Sequence, residues 1–150
     1  MGSEGKWLLA RISDRSGGLI GTFVLALEPP VEHRAAPWLL YVDLPYAGRP
    51  LPTGEEFDAF DEFDLALQAL LPQAGAHLVA IWTAEGRRSW ICYSVEGERA
   101  AKALREGLDN WLIDVEVSRD RKWRQYADLQ AMAKDATLGS SRRALGRRLP

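Results

Sequence analysis

Ala76-His77-Leu78-Val79-Ala80-Ile81-Trp82-Thr83-Ala84-Glu85-Gly86-Arg87-Arg88-Ser89-Trp90-Ile91-Cys92-Tyr93-Ser94-Val95 is the stretch on which the fold turns. Residues 76–84 and 87–95 are β-prone, and only Glu85-Gly86 separates them, so they read as a hairpin with a tight turn. Upstream, Thr53 lies three residues before Glu56, the capping-box pattern in which each side chain satisfies a backbone N–H at a helix start. From there Phe57, Phe60, Phe63, Leu67, Leu70 and Leu71 recur at roughly helical spacing until Pro72. Downstream, residues 98–109 carry Ala100, Ala101, Leu104 and Leu108 at the same spacing. A strand over 38–44 precedes the first helix. After the second, Trp111, Ile113, Val115 and Val117 alternate with Leu112, Asp114, Glu116 and Ser118, as in a strand with one buried and one largely wet face. The order strand, helix, strand, strand, helix, strand predicts an α+β fold, a ferredoxin-like split βαβ with an antiparallel sheet and two helices on one face.

Residues 6–13 and 19–27 read as an added N-terminal hairpin, because Gly17 and Gly18 in the intervening segment can supply positive φ. The proline-rich segment 28–37 reads as a connecting loop. Residues 122–136 read as a C-terminal helix with Trp123, Tyr126, Leu129 and Met132 or Ala133 on one stripe, packed at the edge or end of the sheet. Residues 1–136 are expected to form one domain, and 137–150 an arginine-bearing flexible tail.

The 150-residue chain is 47% hydrophobic and 27% charged, a globular composition. Its longest apolar runs are far below the ~20 residues needed to span a bilayer. The first residues lack a basic segment followed by an apolar one, and the single cysteine suits a reducing compartment, so the expected location is cytoplasmic. The net charge is −2. Arg142, Arg143, Arg147 and Arg148 all lie in 137–150, and removing these four from 19 basic residues leaves 15 against 21 acidic ones. An acidic body argues against a general nucleic-acid-binding surface.

No catalytic residue set is legible. Two histidines, His33 and His77, and one cysteine cannot assemble the usual zinc ligand set, so neither a metal nor a cofactor is expected. Cys92 reads as a small buried hydrophobe in a strand, although Arg87 and Arg88 nearby could activate a thiol. Glu55, Asp58 and Glu62 lie on one side of the first helix, an acidic face open to solvent or to a basic partner. Leu40-Tyr41-Val42-Asp43-Leu44 and Gly86-Arg87-Arg88-Ser89-Trp90-Ile91-Cys92-Tyr93 are similar to the two short motifs of an RNA-recognition fold. In that reading Tyr41, Arg88 and Trp90 share a sheet face and stack bases. Against it, the basic start of the longer motif is missing, and Asp114 and Glu116 would sit beside a phosphate backbone.

Asp120-Arg121-Lys122-Trp123-Arg124-Gln125-Tyr126-Ala127-Asp128-Leu129 resembles the Asp-x-x-Trp-x-x-Tyr-x-x-Leu ending of a bacterial family catalogued as domain of unknown function 695. Leu51-Pro52-Thr53-Gly54-Glu55-Glu56 looks like that family's helix opening, and the segment from Thr83 to Tyr93 like its hairpin, so the resemblance covers roughly residues 38–129. Where the family has proline after the final leucine, this chain has Gln130. The resemblance implies a fold similar to the B-type regulators of ribonuclease E, which bind another protein, and carries over no catalytic residue. The expected function is therefore a protein-binding or regulatory module without catalytic activity. A single-strand RNA-binding domain is the alternative, and an enzyme with a pocket of dispersed residues the third.

Overall fold

Glu85 and Gly86 both adopt left-handed backbone, with φ of 58° and 81°, the primed turn whose twist matches antiparallel strands. Ala84 and Arg87 pair directly across it. In the computed structural model, which describes residues 6–137, this hairpin is central to a six-stranded antiparallel sheet. The strands are β1 (Trp7–Ser13), β2 (Leu19–Ala26), β3 (Trp38–Pro45), β4 (Ala76–Ala84), β5 (Arg87–Ser94) and β6 (Asp114–Arg119), and they lie in the order β1-β2-β4-β5-β3-β6. Three α-helices accompany them: α1 (Gly54–Ala74), α2 (Gly97–Gly107) and α3 (Arg124–Thr137). Apart from Thr137, the segment read as a tail lies outside the described residues.

The capping box forms at the start of α1: Glu56 N–H donates to Thr53 Oγ1 at 3.1 Å, and Thr53 N–H donates to Glu56 Oε1 at 2.9 Å. Pro72, read from sequence as the stop, instead lies inside the last turn. Its fixed φ is helical, and only one backbone donor is lost there. Gly75 ends the helix, with φ 65° and its N–H directed to the carbonyls of Leu71 and Pro72.

Burial divides the sheet into two cores. On one face Phe60, Phe63 and Leu67 of α1 and Ala101, Leu104 and Leu108 after them pack against Leu40, Val42, Trp90 and Cys92. The other face presents Phe23, Leu25, Leu39, Tyr41, Ile91 and Tyr93, and there Trp123, Tyr126, Leu129 and Ala133 pack. So α3 lies on this second face, over the β1–β2 edge of the sheet. Covering the apolar face that α1 and α2 leave bare removes more hydrophobic surface from water.

Candidate functional site

Register decides where the residues singled out by sequence go. Val42 pairs with Trp90, Leu44 with Arg88, and Tyr41 with Ile91. Directly opposed residues share a face, so Arg88 and Trp90 point toward α1 while Tyr41 points to the α3 side. The three do not form a shared stacking face, which corrects the expectation from the motif similarity. Tyr41 and Trp90 are both buried. Trp90 packs on Phe60 and Phe63 and donates from Nε1 to Asp64 Oδ1 at 3.0 Å. The guanidinium of Arg88 lies 5.2 Å from the rings of Phe60 and Trp90 and 5.9 Å from that of Phe57. It donates to Thr83 Oγ1. Burial lowers its pKa, which Asp64 and Asp61 oppose, and an arginine stays charged throughout.

Glu55, Asp58 and Glu62 are all exposed on the outer side of α1, so the acidic face exists as a surface. His33 is exposed and its Nδ1 lies 3.1 Å from the carbonyl of Arg121. Burial lowers the pKa of His77. Cys92 is fully buried, and burial, with Asp64 adding to it, pushes its thiol far up. Arg87 and Arg88 do not activate it.

Two charged clusters were not legible. The first is acidic. Asp43 on β3 pairs directly with Asp114 on β6, Tyr41 pairs with Glu116, and carboxylate oxygens of Asp43, Asp114 and Glu116 lie within 4.8 Å of one another. Asp43 is buried and the other two are exposed. Such hard oxygen donors suit magnesium, calcium or manganese rather than zinc. The alternation in 111–118 put Asp114 and Glu116 on one face, but only register adds Asp43.

The second cluster is basic. His33, Arg34, Pro37, Arg119, Asp120, Arg121, Lys122 and Arg124 line an open cavity of about 940 Å³. Its five lysine and arginine side chains are all exposed, and among the described residues none forms an ion pair. Its one carboxylate is already engaged. Asp120 accepts from the Tyr93 hydroxyl at 2.7 Å, from Arg124 N–H at 2.9 Å and from Gln125 N–H at 3.0 Å. It thereby caps α3.

Trp123, just before α3, is freed from capping and plugs the core. Its indole stacks on Tyr93 with centroids 4.1 Å apart, and its Nε1 donates to the carbonyl of Ala36 at 2.8 Å. Its φ of 55° is a genuine outlier for so bulky a residue. The β6–α3 turn is thus fixed by a buried ring, a capping carboxylate and the bond from Asp120 N–H to Pro37 O. Sequence carried one signal of this site, the four cations within residues 119–124. Arg34 arrives from a distant loop.

No protein-family model matches the chain, and neither a curated protein nor a solved structure matches it.

Proposed function

We propose that the chain is a protein-binding or regulatory module that acts through surface contacts with another protein in the cytoplasm. The observation that carries this reading is the separation of charge: an acidic surface on α1 and, at the β6–α3 junction, a cavity ringed by cations that form no ion pair among the described residues. Exposed charges held on rigid elements favour selective, steered association. The reactive side chains, by contrast, have structural duties: Cys92 fills a core, and the hydroxyl of Tyr93 holds Asp120.

The order β6-β3-β5-β4, with α1 and α2 on one face, supports a ferredoxin-like split βαβ extended by the β1–β2 hairpin. In this reading the chain is similar to the domain of unknown function 695 family, and the aromatic and capping residues of the shared ending, Asp120, Trp123 and Tyr126, serve its architecture. The test is capture of partners from native extract with wild type, a Glu55→Lys/Asp58→Lys/Glu62→Lys variant and a variant reversed at the basic cavity. A protein retained in stoichiometric amount by wild type, and lost on reversal of either surface, is the expected result. Retention of nucleic acid alone, or of no protein at all, contradicts the reading.

A further inference from the structure

We infer that the basic cavity at the β6–α3 junction docks an acidic peptide segment, one rich in aspartate and glutamate, of the protein partner; this rests on the reading as a protein-binding module. Arg34, Arg119, Arg121, Lys122 and Arg124 converge on one cavity and, among the described residues, form no ion pair. Four of the five are arginines, whose planar fork matches a carboxylate through two parallel hydrogen bonds. Like charges gathered this closely repel one another, and an acidic ligand relieves that repulsion.

The donors decide the kind of anion. A small phosphate is best held by backbone N–H groups at a helix start. Here those of Arg124 and Gln125 already bond Asp120. What remains, without an ion pair among the described residues, are the heads of long, exposed side chains from two segments distant in sequence, a spread that suits an extended chain bearing several carboxylates. Single-stranded nucleic acid would also need aromatic faces for its bases. The rings beside the cavity are not available: Trp123 and Tyr93 are buried against each other, and Arg119 covers Trp38 at 4.9 Å.

The test is fluorescence anisotropy with a labelled peptide of glutamate and aspartate, against a labelled single-stranded RNA of equal formal charge. Wild type is compared with Arg34→Glu/Arg121→Glu/Arg124→Glu and with a control reversal, Lys102→Glu, at an exposed position of α2. These side chains make no core contact, and glutamate in the first turn of α3 suits the helix dipole, so urea midpoints near wild type are expected. The proposal requires salt-sensitive peptide binding that falls about tenfold or more in the triple variant and is unchanged in Lys102→Glu. Equal losses in both variants, no peptide binding, or tighter RNA than peptide binding overturns it. The capture experiment separates the two readings. A partner retained by the triple variant removes the cavity's role and leaves the protein-binding reading standing, whereas absence of any protein partner removes that reading too.

Discussion

Trp123 joins fold and site in a single residue. Its ring is buried against Tyr93 and Tyr126, while its neighbours Arg121, Lys122 and Arg124 reach solvent in the cavity. Trp123→Ala should therefore destabilise the chain by roughly 3–5 kcal/mol, as large aromatic truncations in cores do, because alanine loses the packing yet inherits the left-handed backbone. Urea unfolding checks this, and a midpoint equal to that of wild type contradicts the docking role. Cys92 makes a chemical prediction. Burial keeps its thiol protonated and inaccessible, so iodoacetamide should leave the native chain unmodified and alkylate it in urea, as read by intact mass. Rapid alkylation of the native chain contradicts this.

The start of α1 shows how a single element depends on pH. Backbone N–H groups of Ala47 and Thr53, followed by that of Gly48, hold the Glu56 carboxyl below the usual carboxylate range. A group whose pKa is depressed by folding adds stability above its unfolded value, and that stability is lost as pH falls through the folded value. Urea midpoints measured from neutral pH downward should thus fall less steeply in Glu56→Gln than in wild type; identical slopes contradict the assignment. Thr53→Ala, which removes the other half of the box, should cost about 1 kcal/mol by the same measurement. This cap was legible in sequence because it is local, as was the Glu85-Gly86 turn. The placement of Tyr41 was not: β3 is buried on both faces from Leu39 to Leu44, so no alternation distinguishes them. Nor was the cap of α3, because Asp120 stands four residues before Arg124 and no glycine marks the left-handed position at Trp123.

Across the whole molecule, the two sheet faces divide the labour. One is sealed by α1 and α2, and the acidic residues of α1 face outward from it. The other is covered by α3, whose entry turn gathers cations beside a sheet that carries Asp43, Asp114 and Glu116. Composition made the body acidic, but the net charge of −2 conceals this local reversal of sign, because the basic residues come from two segments joined only by folding. An amide NMR titration of the full chain with the glutamate- and aspartate-rich peptide tests the central claim most directly. The account predicts shifts concentrated at His33, Arg34 and residues 119–124, with α1 and α2 unmoved; shifts centred on α1, or on Arg88 and Trp90, would contradict it.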